Sequence, residues 1–371
     1  MFKRIKCVTV FILLISLFPA PDVHASDETN KAVLIIKSSP DSEMETRLTF
    51  INNKTFAGIA RHRKRKQAEE IPVSDTYLIL SGNGGAASTY VVDRNGSLIH
   101  EQTHEIIEVD KAAKTKLKEY ADSLRSLHYG KLTSWERARS IIPRKKKFKV
   151  IDMETGLSFN VQRRAGRNHA DVQPLTREDS AVMKQIYNGR WSWNRKAILV
   201  KTEDHLLAAS MNGMPHGGDG IPGNGFSGHF CIFFLGSATH GSRKVDLEHQ
   251  LMVHKAAGEL DDYFNRASPY QIADTFFAAM NLKESEILKM SFTHANHEQL
   301  LYFLQERDSI TGIRKRADFH QQEDDADLLT LDIPVDVSVV RDGQEERAEF
   351  IFKMARTSPA DPWKIGHMDM K

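Results

Sequence analysis

Between residues 213 and 228 the chain carries seven glycines, at 213, 217, 218, 220, 223, 225 and 228. No other stretch constrains the fold as strongly. Each glycine in a helix interior costs about 1 kcal/mol relative to alanine, so this density excludes a helix. Glycine takes positive φ freely and lets one backbone approach another, or a ligand, closely. The stretch therefore reads as a loop, entered from a strand at 206–210 and leaving into a short apolar strand at 230–235. His216, His229 and Cys231 stand in this loop and strand, and His240 follows. Chemistry is expected here.

The rest of the chain divides into units. Residues 1–6 are basic, 7–18 form an apolar run, and Pro19, Pro21 and Val23-His24-Ala25 follow. That is the layout of a secretory signal peptide, with cleavage expected after Ala25. An uncleaved anchor is the alternative, but the run is shorter than the roughly 20 apolar residues that span a bilayer. The expected mature protein is secreted or cell-wall associated, with no membrane span. Of the two cysteines, Cys7 leaves with the signal, so Cys231 remains without an internal partner. Such a thiol is a buried hydrophobe, an intermolecular link or a reactive group, and the flanking His and Gly residues favour the last.

Residues 26–140 form an expected accessory α+β region. Alternating segments at 31–36 and 47–51 read as strands, as do 77–80, 88–92 and 97–100, with Arg94-Asn95-Gly96 as a hairpin turn. Leu117, Tyr120, Ala121, Leu124 and Leu127 mark an amphipathic helix over 111–128. The basic run 61–66 could meet an anionic wall polymer or membrane surface; a solvated loop is the simpler explanation. The formal net charge of +2 gives the chain no overall basic character, and no nucleic-acid partner is expected.

Residues 145–262 form the expected central domain, mainly β. Strands are expected on both sides of a turn near Gly156, at 196–201 and at 206–210. A helix capped by Thr176 follows Gly166-Arg-Asn-His-Ala-Asp171, and another is expected over 246–263. The fold class is thus a mainly β central domain within an α+β multidomain secreted protein. After Ser268-Pro269 come helical patterns at 269–282 and 296–307, then strands at 327–340 and 347–354 and a terminal Trp363-Lys-Ile. This order over 268–371 resembles the cystatin-like NTF2 family, which implies a small non-catalytic module.

A nucleophilic cysteine needs a base or a lowered pKa, and donors for an oxyanion. In an extended segment His229 and Cys231 share a face, and the loop is long enough to bring His216 back to them. Either histidine could be the base, with backbone N–H groups around Gly228, Phe230 and Cys231 as oxyanion donors. His216-Gly217, followed by His229-x-Cys231-Ile232, resembles the YkuD-type L,D-transpeptidases of bacterial cell walls. There a His-Gly precedes Ser-His-Gly-Cys-Ile-Arg. This chain has Gly228, Phe230 and Phe233 where that motif has Ser, Gly and Arg. The resemblance implies that Cys231 attacks a carbonyl of a peptidoglycan stem peptide, releases D-Ala and passes the acyl group to an amine or to water, without a cofactor.

Two other classes fit the residues. His169, Asp171 and His229, with His216 and His240 nearby, could hold Zn²⁺ for a cell-wall hydrolase. A catalytically silent wall-binding protein is the other. His169 and Asp171 could instead bind substrate or orient a catalytic histidine, and His169 could simply cap the 176 helix. Trp193, with Trp191, could stack on sugars or lie in the core. Arg164, with Arg163, could hold a substrate carboxylate or lie on a solvated strand face.

Overall fold

The computed structural model describes residues 31–53, 56, 65–81, 87–218, 220–319 and 327–371. The expected signal peptide and most of the basic run 61–66 lie outside them. Lys66, which is described, pairs with Glu108 at 2.7 Å on the surface.

The N-terminal unit is one antiparallel sheet. Its strands are β1 (Lys31–Ile36), β2 (Thr46–Ile51), β3 (Arg65–Gln67), β4 (Thr76–Ser81), β5 (Ser88–Val92), β6 (Leu98–His100) and β7 (Glu105–Ile107), in the order β2-β1-β4-β5-β6-β7-β3. The helix α1 (Lys111–His128) lies across β1 and β2. Asp110 caps it by accepting from the Ala113 N–H, and Ala113, Leu117, Ala121 and Leu124 form its buried stripe.

The central unit is a closed barrel of six antiparallel strands. These are β8 (Lys147–Asp152), β9 (Ser158–Ala165), β10 (Ala170–Pro174), β11 (Lys196–Lys201), β12 (Leu206–Met211) and β13 (Phe230–Phe233), closed in the order β10-β13-β12-β11-β8-β9. Alternation decides which side chains go inside. Val150, Phe159, Val161, Ala170, Val172, Ile198, Ala209, Phe230 and Ile232 share one core. Residues one step along, Asp171 and Cys231, therefore face outward.

Two helices close the barrel: α2 (Trp135–Ile141), whose Trp135 and Ala138 join that core, and α3 (Arg177–Ile186), which adds Met183 and Ile186. Thr176 and Asp179 cap α3 reciprocally. The helix α2 is too short, at seven residues, to show a periodicity in the sequence. It moves the start of the barrel unit back to about residue 135.

Helix α4 (Leu247–Ala257) lies against β11 and β12. The single helix expected over 246–263 is in fact two, because Gly258 takes φ 69° beside the Tyr129 ring and the chain restarts as α5 (Leu260–Arg266). The C-terminal unit follows: α6 (Pro269–Leu282), α7 (Ser285–Ser291), α8 (Glu298–Glu306), then β14 (Ile310–Lys315), β15 (Thr330–Arg341), β16 (Gln344–Ala355) and β17 (Lys364–Met370) in one antiparallel sheet of that order. Strand β14 had no clear pattern because a register shift between Ile310 and Gly312 breaks its alternation. A single apolar core runs from the first sheet, past α4, into this unit. No helix among the described residues is long and apolar enough to cross a membrane.

Candidate functional site

The site lies where β10 and β13 pair on the outer face of the barrel. Asp171 and Cys231 are register partners, and both point away from the core, so cross-strand geometry alone brings carboxylate and thiol together. Their Oδ1 and Sγ atoms are 4.0 Å apart. His229, two residues before Cys231, shares its face.

The glycine loop folds back as the sequence suggested. His216 and His229 form an isolated antiparallel bridge, with His216 N–H to His229 O at 3.0 Å and His229 N–H to His216 O at 2.8 Å. Two glycines make this approach possible. A Cβ on Gly228 (φ 87°) would overlap the His216 carbonyl, and one on Gly217 (φ 68°) would overlap the His229 ring. The fold-back places His216 Nε2 3.2 Å from Cys231 Sγ. His216 Nδ1 lies 2.8 Å from the Met214 carbonyl oxygen. A carbonyl only accepts, so Nδ1 carries the proton and Nε2 presents a lone pair to the thiol.

A second group meets the first from the other side. His169 Nδ1 donates to the Ala238 carbonyl at 2.7 Å, which directs its Nε2 inward. That Nε2 is 2.9 Å from His240 Nε2 and 3.2 Å from Asp171 Oδ1, and His240 Nε2 is 3.1 Å from the same oxygen. His169 is fully buried, and its ring stacks on Phe233, which in turn stacks on His249 at 3.7 Å between centroids. Phe233 therefore holds the His169 ring in place. His229 Nε2 is buried without a hydrogen-bond partner, 3.9 Å from Asp171 Oδ1.

The electrostatics follow from burial. Burial first, and then the Asp171 charge, push the Cys231 thiol well above its ordinary range. Burial pushes His229 down, so it stays neutral near pH 7. Burial alone would raise Asp171, but the facing imidazoles of His169, His229 and His240 hold it below the usual carboxylate value.

Of the residues expected at the site, Cys231, His216, His229, Gly217, Gly228, His169 and Asp171 are gathered here. Trp193 is too: half-exposed, its ring lies 5.0 Å from that of His216. Trp191 instead packs edge-on against Phe226 in the barrel wall. Phe230 contributes its side chain to the barrel core, so only its backbone faces this region. Arg164 bonds Gln162 at 2.7 Å and lines a separate depression with Lys147, Leu175, Thr176 and Ile221, away from the cluster. Arg163 is buried and donates to the carbonyls of Ile142, Ala165 and Gly166; it fastens the barrel rim.

His240, expected only as a neighbour of the zinc alternative, sits at the centre of the second group. Its place in Thr239-His-Gly just beyond β13 was the available signal. Two sets of groups here, His216/His229/Cys231/His240 and His169/Asp171/Cys231/His240, each have their ligand atoms within 4.8 Å of one another and could hold a metal. Compared with known proteins, the sequence matches no family model and no curated protein.

Proposed function

We propose that this protein is a cysteine acyl-transfer enzyme of the L,D-transpeptidase or L,D-carboxypeptidase type, acting on peptidoglycan stem peptides. One observation carries the reading: His216 Nε2, its tautomer set by Met214, lies 3.2 Å from Cys231 Sγ. That is a nucleophile, a base and an orienting group in sequence. The substrate class rests on the resemblance of His216-Gly217 and His229-x-Cys231-Ile232 to the wall transpeptidases.

The buried thiol is protonated at rest, so no preformed thiolate exists to attack. Proton transfer to His216 is then concerted with attack. The S–H proton passes to Nε2 as sulfur bonds to the acyl carbon. The resulting oxyanion is met by backbone N–H groups near Gly228. The C–N bond breaks, the leaving amine takes the proton from His216, and a thioester remains. His216 then deprotonates an incoming amine or water as it attacks the thioester; the C–S bond breaks, and His216 returns that proton to sulfur. Trp193 and His240, the exposed rings of the cluster, mark the side from which substrate reaches it.

The test is a stem tetrapeptide incubated with the EDTA-treated protein and followed by mass spectrometry. The reading expects an acyl adduct on Cys231, release of D-Ala, and loss of both in Cys231→Ala. Unchanged product formation by Cys231→Ala would sink it.

A further inference from the structure

We infer that His169, Asp171, His240 and Cys231 form a binding site for one Zn²⁺ ion, and that occupancy withdraws Cys231 from chemistry. The inference does not rest on the acyl-transfer proposal. It begins with three distances. His169 Nε2, His240 Nε2 and Asp171 Oδ1 form a triangle with edges of 2.9, 3.1 and 3.2 Å. Zinc bonds of about 2.0–2.1 Å to nitrogen and oxygen place tetrahedral ligand atoms about 3.3 Å apart. The triangle is close to one face of such a tetrahedron. Cys231 is the fourth group, its Sγ 4.0 Å from Asp171 Oδ1 and within 4.8 Å of both histidine nitrogens. A Zn–S bond of about 2.3 Å asks for roughly 3.5 Å there, a small movement for one thiol.

Proton counting points the same way. His169 uses its Nδ1 proton on Ala238, so in the neutral ring Nε2 is a lone pair. It faces a carboxylate oxygen and a second imidazole nitrogen. Neutral histidines supply at most one proton, from His240, to three mutual contacts, and one proton cannot serve all three. A cation satisfies them together. His169 also has the surroundings of a metal ligand: a backbone carbonyl fixes its tautomer and Phe233 fixes its plane. His240, with its side chain 52% exposed, gives the ion a way in from solvent. In the rival set, with His216 and His229, His216 is already engaged with the thiol at 3.2 Å.

The experiment strips the full chain with EDTA, returns Zn²⁺ alone, and counts bound metal after desalting. One zinc per chain is expected in the wild type and in His216→Ala. Binding should fall at least tenfold in Asp171→Asn and in His240→Ala, the latter at an exposed position that leaves packing intact. Substituting Co²⁺ should give a thiolate-to-metal charge-transfer band that Cys231→Ser removes. Zinc should slow iodoacetamide alkylation of Cys231 at least tenfold, and EDTA should restore it. No zinc above background would overturn the inference. So would zinc retained by His240→Ala and lost by His216→Ala, which would assign the ion to the other set. Neither result touches the acyl-transfer test, which is run in EDTA.

Discussion

Two polar clusters in this protein, one half-buried and one buried, are built from similar parts and end in opposite states. In the first, Asp75 receives Arg125 through Nε at 3.0 Å and Nη2 at 2.6 Å, together with the Tyr129 and Thr76 hydroxyls at 3.1 and 2.7 Å. Arg125 also donates to Thr76. Burial would raise the Asp75 carboxyl, but Arg125 holds it below its ordinary value. Each charge has a counter-charge, and the cluster ties the first sheet to α1. In the second, Asp171 faces three histidines and a thiol, two histidine nitrogens point at each other, and His229 Nε2 has no partner. Buried polar groups are normally satisfied. The difference separates a cluster that is complete as folded from one whose lone pairs await a proton donor, a metal or a substrate.

The comparison breaks most sharply at the thiol. Cys231→Ala should reduce product formation by roughly 10⁶-fold, the loss expected when a covalent nucleophile is removed. Circular dichroism should show the fold retained. An equivalent loss from a change in the Asp75 cluster would erase the distinction.

Next in size is Gly228→Ala. Positive φ and the overlap with the His216 carbonyl should cost about 2–4 kcal/mol in urea denaturation. The survivors should show slowed alkylation of Cys231 because His216 is displaced. Arg125→Met leaves Asp75 unpaired in a half-buried setting and should cost about 2–3 kcal/mol. It should leave the alkylation rate of Cys231 unchanged, which sharpens the contrast.

Acid should reach the first region through His128. Burial lowers its pKa to about 4, and its Nε2 has no partner. The unfolded chain takes up this proton more readily, so the stabilisation is full above about pH 6.5 and is lost as pH falls through about 4. A series of urea melts should show a decline on the order of 2 kcal/mol over that window, flattened in His128→Phe. Smallest is Trp193→Ala, which uncovers one side of His216. It should raise the alkylation rate of Cys231 a few-fold with a stability change under about 1 kcal/mol.

Much of this architecture was legible in the sequence. Alternation marked most strands, and Leu117, Ala121 and Leu124 marked α1, because each pattern carries a period that one buried face demands, although Leu127 of the same expected stripe is exposed. Helix α2 and the bulged strand β14 escaped, being too short or too irregular to carry a period. The 246–263 pattern ran through Gly258 because apolar spacing does not register a single left-handed residue.

At the site, the sequence determined the ingredients: the glycine loop, the shared face of His229 and Cys231, and the His-x-Asp pair at 169 and 171. It determined that a lone Cys231 stands among histidines. It could not decide which groups meet. Asp171 and Cys231 are neighbours only through the register of β10 against β13, and His216 reaches the thiol only through its bridge to His229. His240 joins Asp171 only because the chain returns past β10, where Ala238 N–H bonds the Asn168 carbonyl. The physical reason is range. Glycine content and alternation act within a few residues of chain. Cross-strand pairing, the enclosure that raises the thiol pKa, and the convergence of His169, Asp171 and His240 arise only when distant segments pack.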